Sequence, residues 1–137
     1  MRAVWPADIQ FRMDINGVSG HVITSAMCVH TILGPGLLEG AYEMCLATEL
    51  RLRGLDVQQQ VPVPLIYKGR TLDVAYRLDL LVNECVVVEI KCVAKLLPVH
   101  NAQLLSYLKL SGHKLGLLIN FHVDHLKEGI RRFVNKL

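Results

Sequence analysis

Asp79, Glu89 and Lys91 are the residues of this chain whose types and spacing could do chemistry. A carboxylate, a second carboxylate ten residues later and an amine two beyond it all lie within the apolar run DLLVNECVVVEIK. An ionised group buried in a strand costs on the order of several kcal/mol unless it is paired or ligates a cation. Two carboxylates suit a hard divalent ion, Mg²⁺ or Mn²⁺, which prefers oxygen ligands and keeps several waters. An amine beside them would orient an attacking water and offset charge growing on a phosphorane-like transition state. The set has the arrangement that a Mg²⁺-dependent nuclease site would need. The plainer alternatives are a structural ion pair with Lys91 or Arg77, and a solvated lysine at a strand end.

Strand alternation sets a condition for the three to meet. Leu72, Val74, Tyr76, Leu78 and Leu80 fall on one face, while Thr71, Asp73, Ala75, Arg77 and Asp79 fall on the other. Glu89 and Lys91 are two apart and share a face, with Ile90 directed into the core. Asp79 joins them only if paired residues on the two strands have numbers adding to an even value. A plain two-residue turn at Asn83-Glu84 fails that test, so the spacing predicts a loop of three or five residues around Asn83, or a bulge beside it.

The elements that must position these residues follow from periodicity. Val18, Val22, Ala26, Val29 and Leu33 mark an amphipathic helix after Asp14 or Asn16, ended by Gly34 in a Gly-Pro-Gly turn. A second helix runs from about Leu38 to Arg53, with Gly54 as its stop. Val57 to Val93 is strand-like, with a Lys68-Gly69-Arg70 turn, and Pro62 and Pro64 place the first strand at an edge. A helix from about Val99 to Leu110, a strand from Leu115 to Phe121 and a last helix from about Asp124 to Val134 complete the order ααβββαβα. The expected fold class is α/β, a small mixed β-sheet flanked by helices. Residues 1–13 form an irregular N-terminal arm, and 14–137 a single domain.

Composition supports that outline. With 137 residues, 52% hydrophobic and 20% charged, the chain can bury a real core, and an apolar subunit interface such as a homodimer's is compatible. The net charge of +3 allows a nucleic-acid partner without requiring one. Cys28, Cys45, Cys85 and Cys92 have no CxxC or zinc spacing, so buried reduced thiols are expected. Ile15 to Leu38 lacks Asp, Glu, Lys and Arg, yet its histidines and the Gly-Pro-Gly breaker argue against a membrane span, and a cytoplasmic protein is the default. His21, His113, His122 and His125 lack partner spacing and receive no role.

Gly36-Leu37-Leu38-Glu39-Gly40-Ala41-Tyr42 is a G-x-x-E-x-x-Y motif. With "YRLDLLV", "VVVEIKCV", "HNAQLLSYLKLSG" and "LGLLINF" following in order, the chain from about Asn16 to Val134 resembles the GxxExxY protein family, a branch of the PD-(D/E)XK nuclease superfamily. The resemblance implies a restriction-endonuclease-like core and Mg²⁺- or Mn²⁺-dependent cleavage of nucleic acid, DNA ahead of RNA, with Asp79 and Glu89 on the metal and Lys91 at the attacking water. It also implies an active-site role for Glu39, with Tyr42 packed behind it. The alternative for Glu39 is a helix-start carboxylate favoured by the macrodipole. Gln103 and Tyr107, four apart on a helix with His100 one turn earlier, resemble the auxiliary Q-x-x-x-Y of RecB-like nucleases, which contacts the nucleic-acid backbone. The plainer alternative makes them ordinary helix-surface residues. Lys68, Arg70, Arg77, Lys127, Arg131 and Arg132 could track phosphates. The competing function is a catalytically inactive nucleic-acid-binding or protein-interaction module that keeps the nuclease fold. A third is a homo-oligomer whose apolar surface is its main business.

Overall fold

A computed structural model describes residues 13–136, apart from the side chains of Val74 and Ala75; the arm expected over residues 1–13 lies outside them but for Met13. Helix α1 (Ile15–Leu33) starts where the Asp14 carboxylate accepts the Gly17 N–H at 2.7 Å, and it stops at Gly34, whose φ of 69° favours glycine. Val18, Val22, Ala26 and Val29 form its buried face. Helix α2 (Glu39–Leu52) buries Tyr42, Leu46, Ala47 and Leu50 against the same core.

Five strands follow: β1 (Val57–Tyr67), β2 (Arg70–Val82), β3 (Val86–Lys91), β4 (Leu115–Asn120) and β5 (Ile130–Val134). They form one sheet in the order β1-β2-β3-β4-β5, parallel only between β3 and β4 and antiparallel elsewhere. Helix α3 (Pro98–Ser111) is the crossover that the parallel pair needs. The helices α1 and α2 cover Leu80, Val82, Val86, Val88, Ile90, Leu115, Leu117 and Ile119. On the opposite face α3 covers Leu78, Leu81, Val87 and Leu118. Buried from both sides, β3 and β4 read as the continuous apolar runs expected of central parallel strands. The mixed α/β class with a restriction-endonuclease-like sheet holds, and β1, with Pro62 and Pro64, is an edge strand.

Two expectations are corrected. Residues 124–134 are not a helix: a 3₁₀ turn (Leu126–Gly129) leads into β5, which pairs with β4 from Ile119↔Ile130 to Leu115↔Val134. A Cβ on Gly129 would stand 2.3 Å from the Asn120 carbonyl, so only glycine lets the chain fold back so tightly on the end of β4. Covering the open edge of β4 outweighs the weak helical period of this segment. The observed order is ααβββαββ.

Second, Leu78 and Leu80 do not share a face, because Leu78 packs toward α3 and Leu80 toward α1 and α2. The reason lies opposite them. The β1–β2 ladder runs through Gln59↔Leu80 and Val61↔Leu78 but leaves Gln60 and Asp79 unpaired, and Gln60 has a left-handed φ of 53°. The irregularity falls at the carboxylate that the sequence singles out.

Candidate active site

The β2–β3 connection decides whether the two acids can meet. Asn83 and Glu84 have φ of 47° and 56°, and the Cys85 N–H donates to Val82 O at 3.0 Å, a type I′ turn followed by one extra residue. The loop is therefore three residues long. Partners run Val82↔Val86, Leu81↔Val87 and Leu80↔Val88, the even register that the sequence requires. The Asn83 carboxamide fixes the loop by accepting the Asp56 N–H at 2.8 Å, while its own N–H donates to Asp56 O at 2.9 Å.

One step beyond Leu80↔Val88 the ladder ends and the two carboxylates take over its hydrogen bonds. Glu89 Oε1 accepts the Asp79 N–H at 3.1 Å, and Asp79 Oδ2 accepts the Ile90 N–H at 2.8 Å. Each acid is held by the other strand's backbone, so both carboxylates are fixed at the mouth of the hairpin. Glu89 is only 4% exposed. Burial, with the Asp79 charge next, pushes its carboxyl up to about 8, and Asp79 is raised as well, chiefly by burial and then by the charge of Glu43. Lys91 is half-buried beside them and its charge opposes both shifts. Among the described residues the only ion pair within 4.0 Å is Arg53–Glu49, so Asp79 and Glu89 are not the structural salt bridge that was the plainer alternative.

Beyond Lys91 the chain is pinned. Phe121 N–H donates to Lys91 O at 3.0 Å, and the buried Asn120 side chain accepts the Val93 N–H at 3.1 Å and donates to Val93 O at 2.9 Å. Lys91 is thereby held at the rim rather than at a fraying strand end.

Glu39 sits in the first turn of α2, where the dipole favours it, but it makes no cap bond of its own; Leu38 is the N-cap. Its Oε1 accepts the Cys92 N–H at 3.2 Å. The structure thus places Glu39 against the exit of β3, at the residue after Lys91, with no hydrogen bond to Asp79 or Glu89 among the described residues. Tyr42 is a latch: its hydroxyl donates to Gly34 O and accepts the Leu37 N–H at 3.2 Å, closing the Gly-Pro-Gly turn, while its ring stacks on Phe121 at 4.4 Å.

Gln103 and Tyr107 are brought together on α3, with the Gln103 amide donating to the Tyr107 hydroxyl at 2.9 Å. Burial chiefly raises the proton affinity of Tyr107, and the charges of Glu89 and Asp79 add to it, which places its hydroxyl within the field of the carboxylate pair. His100 does different work. Its Nδ1 accepts the Leu97 N–H at 2.9 Å and caps α3. Arg131 and Arg132, expected on a helix, sit on β5; Arg131 bonds Asn101 and Arg132 bonds Asn16, so they do not form one basic track.

Two residues went unnoticed in the sequence. The Glu43 carboxylate accepts the Gln60 amide at 2.6 Å and the Gln59 amide at 3.1 Å, and the Gln60 amide also reaches Asp79 Oδ1 at 3.3 Å. Glu43 lies four residues after Glu39 and shares its helix face, a spacing that could have found it. No sequence signal marks Gln60, since its reach depends on a left-handed backbone within a strand.

Among the described residues no cluster of three or more His, Cys, Asp or Glu side chains is gathered closely enough to hold a metal. A pair of carboxylates still suits Mg²⁺, which is seldom caged by protein ligands alone and takes only one or two carboxylates. Burial and the neighbouring acid disfavour the charged form of Glu89, and a cation held between the two carboxylates would offset both effects. The four cysteines are free thiols, each partly buried where full burial was expected. No helix among the described residues is long and apolar enough to cross a membrane. A family model described as the PD-(D/E)XK nuclease superfamily matches residues 16–133. No curated protein and no solved structure gave a significant match.

Proposed function

The chain belongs to the PD-(D/E)XK nuclease superfamily, and from that premise we propose that it is a Mg²⁺- or Mn²⁺-dependent nuclease hydrolysing nucleic-acid phosphodiesters at the Asp79–Glu89 pair. The finer placement, in the GxxExxY branch, rests on Gly36, Glu39 and Tyr42 and the motifs after them. One observation carries the functional reading: a carboxylate pair, buried at Glu89 and bonded to strand backbone, has no protein cation within ion-pair distance among the described residues. Such a pair is costly to keep unless it serves a ligand.

Asp79 and Glu89 would hold the metal. When bound, a divalent ion supplies an acidified water and a clamp on phosphoryl oxygens. The water oxygen bonds to phosphorus in line as the opposite P–O ester bond breaks; the water gives up a proton and the leaving oxygen takes one. Lys91 faces the negative charge that grows on the phosphoryl oxygens. Gln60, braced by Glu43, steadies Asp79 Oδ1. Tyr107 accepts from Gln103, so its own O–H is free to donate to a backbone phosphate oxygen. Glu39 fixes the exit of β3 through Cys92 and adds a carboxylate at the rim.

The test is purified protein against single-stranded, double-stranded and branched DNA and RNA with Mg²⁺ or Mn²⁺, beside Asp79→Ala. Cleavage that disappears with EDTA and in Asp79→Ala is the expected result. Nucleic acid bound but left intact with either ion would instead identify an inactive module.

A further inference from the structure

Between α3 and the β1–β2 hairpin lies an open groove of about 650 Å³; the chemistry above uses Gln103 and Tyr107 of its lining and leaves the rest without a role. One wall is α3, through Val99, His100, Gln103 and Tyr107; the other is the β1–β2 hairpin, through Leu65 and Tyr76. Its size lies in the range of small-molecule sites. Tyr76 and Tyr107 meet across it with ring centroids 5.8 Å apart and planes tilted by 51°. Tyr76 is 40% exposed although its ring is large and apolar, and Val99 is 64% exposed. The groove is also polar at chosen points. With His100 Nδ1 occupied by the Leu97 N–H, its Nε2 carries the proton and is a donor. Gln103 uses one amide hydrogen on Tyr107, and its carbonyl oxygen has no partner among the described residues.

We propose that this groove receives an unpaired nucleobase of the strand whose phosphate lies at Asp79 and Glu89, so that single-stranded or frayed nucleic acid is the preferred substrate. The inference rests on the nuclease reading of that site. Continuity supports it: Tyr107 lines the groove and packs in one cluster with Leu78 and Val87, the residues of β2 and β3 that flank the two acids on the α3 side. An exposed aromatic face next to amide and imidazole groups offers a base both stacking and edge contacts. A stacked duplex has no free base face to offer, so entry requires an unpaired or extruded base. Lys109 at the groove suits the flanking phosphate.

The experiment measures binding without turnover, in EDTA at fixed salt, to fluorescent single strands of DNA and RNA and to a blunt duplex of the same sequence. Tyr76→Ala is expected to weaken single-strand binding by about 10-fold or more, the usual effect of losing one stacking partner. Tyr76→Phe retains it. A strand with an abasic position at the site shows the same loss, and duplex binding is unchanged by either variant. Val99→Trp, which fills the groove without removing packing, also weakens single-strand binding. Equal affinity for strand and duplex, or indifference to Tyr76→Ala and Val99→Trp, overturns the proposal. So does a dimer that Val99→Trp dissociates, which would make the groove an interface between copies. The two readings fail separately. A protein that cleaves strand and duplex equally well keeps the nuclease and loses the groove, whereas one that prefers unpaired bases yet never cleaves does the reverse.

Discussion

Raising the pH from about 5 to about 9 without divalent ions should weaken this fold, and Glu89→Gln should remove most of that weakening. The folded protein holds the Glu89 proton up to about 8, whereas the ordinary value is 4.5. Below 4.5 both folded and unfolded chains carry the proton, and the full stability is present. Between 4.5 and 8 the unfolded chain has released its proton and the folded chain has not, so stability falls with rising pH and is lost by about 8. At about 1.4 kcal/mol per tenfold change in proton affinity, the loss is on the order of 3–5 kcal/mol. Asp79, also raised, acts in the same direction. That is a large share of the roughly 5–15 kcal/mol typical of a domain. Glutamine keeps the acceptor for the Asp79 N–H and carries no charge, so the variant should be more stable than wild type at about pH 9. Saturating Mg²⁺ or Mn²⁺ should restore the wild type at high pH, by about 2.7 kcal/mol at a hundredfold excess over Kd, and leave Glu89→Gln nearly unchanged. The assay is urea unfolding across this pH range with EDTA or metal. A wild-type midpoint that does not move, or a Glu89→Gln protein less stable than wild type at about pH 9, would refute the reasoning.

Lys91→Ala should cost about 10² to 10³ in cleavage rate with little change in urea midpoint, and a variant that cleaves at the full rate removes Lys91 from the mechanism. Glu43→Gln removes one of the charges raising Asp79, so the acid limb of the cleavage pH profile should move to lower pH; an unmoved limb would show that Glu43 does not act on Asp79. Gly129→Ala places a Cβ 2.3 Å from Asn120 O and should destabilise by about 2 kcal/mol or more, read as lost hydrogen-exchange protection in β5; an unchanged midpoint would contradict the tight turn.

What the sequence settled by itself is what short-range periodicity controls. The apolar runs of β3 and β4, the Gly34 end of α1 with Asp14 as one of two candidate starts, and the shared face of Glu89 and Lys91 were all legible, because each depends on a few neighbouring residues. Even the register could be inferred, as a loop of three or five residues or a bulge, since only an even register lets Asp79 meet Glu89; the structure chose three residues. The tertiary structure decided whatever depends on contacts between distant segments. Ile130–Val134 became a strand because the open edge of β4 needed a partner, and Gly129 allowed the approach. Glu39 bonds the Cys92 N–H and Glu43 entered the site through Gln60, because the seating of α2 against the sheet fixes which turn of the helix reaches which strand. The left-handed backbone of Gln60 and the change of face at Asp79 have no local cause; they arise where two strands part around a pair of acids, Glu89 buried and Asp79 half-buried.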